Sequence, residues 1–169
     1  RKAEGRGQAY RFDLANLERQ VLANRSAGLI DRYQEAYAAG DAGGGKAAGE
    51  EMLLLIERME KALEGIPYFS LDKWITDART WGVTPQEKDY FEQEARNILT
   101  TWGDYGSGLT DYAARTDAGL LGTYYKVRWM MFFDSLEKSM AAGGDFDQES
   151  FDKQLKDFEF AWWHSEKQP

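Results

Sequence analysis

Apolar residues recur along almost the whole chain at steps of three and four, the period of an amphipathic helix. From Phe12 to about Ala39, Leu14, Leu17 and Val21 and then Leu29, Tyr33 and Tyr37 mark one face. Asp13 lies at its acidic start, Gly40 is its stop, and Gly28 weakens it slightly. The run GDAGGG at 40 to 45 reads as a flexible break before a second helix whose face is Met52, Leu55, Ile56, Met59 and Leu63, closed by Gly65 and Pro67. Two long helices joined by a short loop are expected to pack as an antiparallel hairpin.

Ser70 can cap a short third helix through Trp74, Ile75 and Ala78 to Gly82. In TPQE, Thr84 is a cap, Pro85 has its φ preset for the first helical position, and Glu87 completes a capping box. The fourth helix carries Phe91, Ala95, Ile98 and Trp102, which places Trp102 on the buried stripe just before Gly103. After the loop GDYGSG, Thr110 can cap DYAAR, and a helix near 118 to 142 is apolar on more than one face, as a central helix is. Gly143 and Gly144 end it, and a last helix from about Asp147 shows Phe151, Leu155, Phe158 and Trp162. No segment alternates with period two strongly enough to be a strand, and no repeat of 20 to 50 residues is evident. The fold class is all-α: one helical-bundle domain of about six or seven helices over residues 10 to 165, with residues 1 to 9 expected as a disordered or tail segment.

Composition narrows the function. A chain of 169 residues suffices for one domain with a sizeable core. The absence of cysteine excludes thiol catalysis and thiolate metal sites. A formal charge of −8 with no basic block argues against nucleic acid as a partner. The longest apolar runs, Met52 to Ile56 and Trp129 to Phe133, fall far short of the about 20 residues of a membrane span. The chain begins at Arg1 with neither an initiator Met nor an apolar leader, so it is expected to be a piece of a longer product.

The candidate chemical motifs are thin. GDAGGGKAA approaches a phosphate-binding loop, but Ala47 stands where a hydroxyl would hold magnesium and no strand precedes it. His164 is the single histidine, and Ala161 occupies the position where a Glu-x-x-His metal motif needs its glutamate, so neither metal nor cofactor is expected. The same shortage removes a Ser-His-Asp site. The pairs Glu50 with Glu51 and Glu57 with Glu60 read as solvated helix faces. The Asn-Arg-Ser triplet at 24 to 26 falls inside a helix and is discounted as a glycosylation acceptor. What remains is an aromatic content of 14%, and the group Trp102, Tyr105, Tyr112, Tyr124 and Tyr125 with Arg128 around GDYGSG. Such aromatics stack on sugar faces and also fill cores.

The segments AYRFDLANLERQ, KDYFEQEARNILTTWG, LTDYAARTDAGLLGTYYKVRWMMFFDSL and FDQESFDKQLKDFEFAW, in that order from about Ala9 to Trp163, resemble the C-terminal all-α domain of the α-N-acetylglucosaminidases. The resemblance implies a retaining glycoside hydrolase that removes terminal α-linked N-acetylglucosamine. Animal lysosomal members act on heparan sulfate, a glycosaminoglycan. It also implies that the helical domain packs on a catalytic barrel of the same polypeptide and helps to wall the sugar cleft. A secreted, periplasmic or lysosomal location is implied with it. The two catalytic glutamates of the family belong to the barrel, so no catalytic residue is assigned to this chain. By itself it is expected to be inactive.

The matching positions are Trp102-Gly103, Asp111-Tyr112-Ala113, Ala118-Gly119-Leu120, Tyr124-Tyr125 and Arg128-Trp129. Where many relatives have a large apolar residue before the Ala-Gly-Leu triplet, this chain has Asp117. Trp102, Tyr112 and Arg128 are the expected substrate-binding residues, and Asp111 and Trp129 the expected structural tie. Arg128 should join the central helix to the Asp111 turn, a role for which arginine is suited and lysine is not. A large exposed apolar patch is expected where the barrel docks, with self-association of the isolated domain. The competing reading is a stand-alone helical module for protein–protein interaction.

Overall fold

The computed structural model describes residues 2–109 and 111–164, with side chains described from residue 7 onward. The α-helices are α1 (Lys2–Ala38), α2 (Ala42–Leu63), α3 (Leu71–Arg79), α4 (Pro85–Leu99), α5 (Lys126–Ala142) and α6 (Gln148–Trp163). A 3-10 turn (Pro67–Phe69) links α2 to α3, and a π-turn (Leu121–Tyr125) leads into α5. The expected all-α bundle is present. The β pairing found among the described residues is one isolated parallel bridge, Ser70 to Ala118. No helix among them is long and apolar enough to cross a membrane. The cap expected of Thr110 lies outside the described residues.

The local signals in the sequence act where they stand. Thr84 and Glu87 form the full capping box on α4, Ser70 caps α3 and Asp147 caps α6. Gly143, at φ +64, closes α5. α1 and α2 form the expected antiparallel hairpin: Ala36 lies over Gly45, Tyr33 over Gly49, and Arg32 pairs with Glu51 at 2.8 Å.

The break expected at 40 to 45 is mostly helix, because α2 already starts at Ala42 on the Asp41 side-chain cap. Its glycines serve packing. Gly49 is approached so closely by the Phe133 ring that a Cβ there would lie 3.3 Å from it. Residues on that side of α2 are small because two helices press on it.

α1 departs from expectation in which face it buries. Ala15, Leu22 and Tyr33 are the buried residues, whereas Leu14, Leu17 and Val21 of the expected stripe are exposed. The reason is length: α1 runs for 37 residues and α2 for 22. At 1.5 Å per residue, α1 overhangs its partner by roughly 20 Å. Among the described residues the overhang is held by Ala15, buried in the core, and by Phe12, stacked on Phe69 at 5.2 Å and edge-on to Tyr68 at 5.3 Å.

Two cores meet at the 121–136 segment. One joins α1, α2 and the far side of α5 through Met52, Ile56, Met59, Leu63, Leu121 and Phe133. The other joins α4 and α6 to the near side through Leu99, Leu120, Tyr124, Phe158, Trp162 and Trp163. Burying such side chains stabilises the fold by about 1.5–3 kcal/mol each. The π-turn widens the helix between the two cores, with Lys126 N–H donating to the Leu121 carbonyl. Ahead of it, the Ala118-Gly119-Leu120 turn is fixed by Glu60, whose two oxygens accept from Gly119 N–H at 2.6 Å and Gly122 N–H at 3.0 Å. Gly119 sits at φ +87 against Leu71, where a side chain would be strained. Glu60 and Glu57, which pairs with Lys126 at 2.6 Å, are therefore engaged groups rather than a merely solvated face.

Candidate functional site

Between α4 and the π-turn the chain crosses the end of the bundle as an irregular loop. Thr100 is its buried root: its hydroxyl donates to the Arg96 carbonyl at 2.7 Å and accepts from the Trp163 indole at 3.2 Å. Further along, Tyr105 donates to Asp157 at 2.6 Å and Lys156 donates to the Ser107 carbonyl at 3.2 Å, so α6 holds the loop at several points.

Trp102, Asp111 and Ala114 in this loop all have positive φ, at 62°, 50° and 45°. They are the non-glycine residues of the described chain in that region. Each costs roughly 1–3 kcal/mol that the surroundings must offset, and such strain gathers at binding sites. The backbone twist at Trp102 turns its ring off the stripe it was expected to join. Ala95 and Leu99 are buried on α4, while Ile98 and Trp102 are exposed. The Trp102 ring instead stacks on Tyr112, with centroids 5.2 Å apart and planes within 14°. Trp102 is 52% exposed and Tyr112 65%, so the stacked pair stands open to solvent as an aromatic platform.

Behind the platform lies a charged knot. Arg128 Nη1 is 3.2 Å from Asp111 Oδ2, and its Nε is 3.2 Å from Glu159 Oε1, paired by charge but off the line of a hydrogen bond. Its guanidinium also lies 5.2 Å from the Tyr124 ring centroid. Tyr125 donates to the other Asp111 oxygen at 2.5 Å, and Tyr124 donates to Glu159 at 3.0 Å. Burial pushes the Glu159 carboxyl above the usual range, against the lowering pull of Arg128. Both tyrosine hydroxyls are pushed up by burial as well. Trp129 packs on Phe133 at 5.4 Å and shares a cleft of about 260 Å³ with Asp111, Tyr125 and Arg128.

The structure thus brings the expected residues together as two pairs, Trp102 with Tyr112 and Arg128 with Asp111, joined by the Asp111-Tyr112 peptide. Arg128 grips the base of the platform. Glu159 was missed at the sequence level, since an acidic residue among lysines and aspartates on α6 carries no mark of its 2% exposure. The strain at Trp102 was equally hidden, because the position invites a glycine and holds a tryptophan.

A stacked aromatic pair on a strained loop is an arrangement suited to the apolar face of a sugar ring. The family model for the alpha-N-acetylglucosaminidase (NAGLU) C-terminal domain matches residues 2–169. Human alpha-N-acetylglucosaminidase is 33% identical over 155 residues, covering 91% of this chain and 21% of the relative. A Clostridium perfringens glycoside hydrolase solved with GlcNAc-alpha-1,4-galactose superposes with a TM-score of 0.82 at 31% identity, over 95% of this chain and 18% of that one. The family 89 glycoside hydrolase of the same organism, solved with a dideoxynojirimycin derivative, gives 0.80 at 32% identity over 90% of this chain and 18% of its own. The chain spans about one fifth of the length of these relatives. It belongs to the family of α-N-acetylglucosaminidase C-terminal domains.

Proposed function

We propose that this chain is the helical domain of a retaining glycoside hydrolase that removes terminal α-linked N-acetylglucosamine, and that it walls the sugar cleft with Trp102 and Tyr112. The observation that carries this reading is the exposed, stacked ring pair held on a loop with three strained residues. Solved relatives hold ligands built on N-acetylglucosamine or a 2-acetamido analogue of it, which supports a pocket for the same sugar. Arg128 acts as a positioning residue by fixing Asp111, and Trp129 backs it from the core side.

Retaining hydrolysis needs two carboxyls about 5 Å apart flanking the bond. Asp111 and Glu159 are both committed to Arg128 and the tyrosines, and with the chain spanning about one fifth of its hydrolase relatives the chemistry is assigned to a catalytic barrel of the same polypeptide, this chain alone being inactive. Tyr10, Leu14, Leu17 and Val21, exposed along one side of α1, supply an apolar face for that barrel. In the isolated domain the same face drives self-association.

The test is kinetic. In the full-length hydrolase, Trp102→Ala is expected to raise KM or lower kcat for an aryl α-N-acetylglucosaminide by about tenfold, the size of one aromatic contact, with the melting transition retained. Wild-type kinetics would remove Trp102 from the site.

A further inference from the structure

On the other side of the 111–117 segment, α3, α4 and the 3-10 turn enclose an open groove of about 760 Å³, within the size range of sites that bind small molecules. Its rim carries three rings that face water: Tyr68 at 75% exposure, Trp74 at 40% and Trp81 at 76%. Asp117 lies at its floor, 6% exposed, and its Oδ2 is buried with no hydrogen-bond partner. The backbone at this position is fixed, because the Asp117 main-chain carbonyl accepts from Leu120 and Leu121 N–H at 3.1 and 3.0 Å.

A buried acceptor left unpaired costs stability, and no donor among the described residues supplies the bond. The nearby cations are otherwise engaged. Arg19 donates to Thr116 at 2.6 Å and to Asn16 at 2.7 Å, and Arg115 lies over the Trp74 ring at 5.8 Å. Burial pushes the Asp117 carboxyl up, with Arg115 and Arg19 pulling the other way.

Charge selects the class of ligand. The groove's cations are Arg19, Lys73 and Arg115, and its anions are Asp77, Glu94 and Asp117, three against three. A balanced lining favours a neutral ligand over a cation or an anion, and Asp117 requires that ligand to donate. A pyranose meets both conditions: its hydroxyls donate to a carboxylate, and its C–H face lies on an indole.

We propose that this groove is a second carbohydrate-binding site that takes neutral saccharides, with Asp117 as hydroxyl acceptor and Trp74 as ring platform. Choosing a saccharide over another neutral polyol rests on the glycosidase reading above.

The experiment titrates the 169-residue chain with N,N′-diacetylchitobiose and follows the tryptophan indole N–H signals by NMR, with a melting curve for each variant. The Trp74 signal should shift saturably. Asp117→Ala and Trp74→Ala should each weaken binding by about tenfold or more, as loss of a hydrogen bond to a charged group does. Asp117→Ala should melt no lower than wild type, since it removes an unpaired buried carboxyl, and Trp102→Ala should bind the probe at this groove as wild type does. A uronate-containing disaccharide of the same size should bind more weakly. The proposal is overturned by the absence of saturable binding, or by binding that survives Trp74→Ala and vanishes in Trp102→Ala. The second outcome leaves the glycosidase reading standing. Shielding of Trp74 and Trp81 from an added quencher in the full-length hydrolase would assign the groove to an interdomain contact and also overturn it. Conversely, groove binding by a full-length protein with no hydrolase activity would retire the glycosidase reading alone.

Discussion

Arg128 is one cation facing two carboxylates, Asp111 and Glu159, with a tyrosine ring against its guanidinium. Removing it leaves Glu159, 2% exposed, with no opposing charge beyond the more distant Lys156. Breaking such a buried pair from one side costs about 3–5 kcal/mol. Arg128→Met is therefore expected to lower unfolding stability in urea by that order at neutral pH, and less in acid, where Glu159 takes up a proton. Arg128→Lys should lose roughly half as much, because a lysine ammonium cannot span both carboxyls. A loss under about 1 kcal/mol for Arg128→Met would mean that the knot is solvated and holds nothing.

At the scale of elements, much of the fold was legible in the chain. The capping box at Thr84 and Glu87, the Ser70 and Asp147 caps and the Gly143 stop are local chemistry, and each helix end follows from a few neighbouring residues. Periodicity located the buried face of α2 from Met52 to Leu63, because helices pack on both sides of that stripe. It misplaced the face of α1, where Leu14, Leu17 and Val21 are spaced as well as any core stripe but no helix arrives to cover them. It also read Trp102 as core, since spacing cannot register a residue beyond the helix end whose φ has turned positive. The Arg128 to Asp111 pairing was reachable through the family resemblance, which holds both residues in its pattern; the residues alone asked only for an acid or an aromatic ring beside Arg128. Glu159 and the Glu60 clamp on Gly119 and Gly122 were not reachable, since their partners are set by how helices meet.

Across the whole molecule, burial raises the carboxyls of Asp117 and Glu159 above their ordinary values of 3.8 and 4.5. A carboxyl raised on folding binds its proton more tightly in the folded than in the unfolded chain. Its contribution is complete below the unfolded value and is lost as pH rises through the folded one. Glu51 and Glu87 are lowered by their hydrogen bonds and act in the opposite direction, but both are exposed to solvent and screened. Melting temperature should therefore decline as pH rises above the ordinary carboxylate range, and decline less in Asp117→Asn, so that the variant's advantage grows with pH. A gap that stays constant over that rise would show that Asp117 does not titrate there.

The claim that joins these scales is that the fold tolerates strain at Trp102 in order to present its ring to a sugar. Trp102→Gly separates the two contributions. Glycine relieves a left-handed backbone worth about 1–2 kcal/mol and forfeits a ring stack worth about 0.5–1.5 kcal/mol, so stability should change little. In the full-length hydrolase this variant is expected to melt within a few degrees of wild type while kcat/KM for an aryl α-N-acetylglucosaminide falls at least tenfold. A protein that melts far lower yet hydrolyses at the wild-type rate would contradict it, and would return Trp102 to the role of a structural residue.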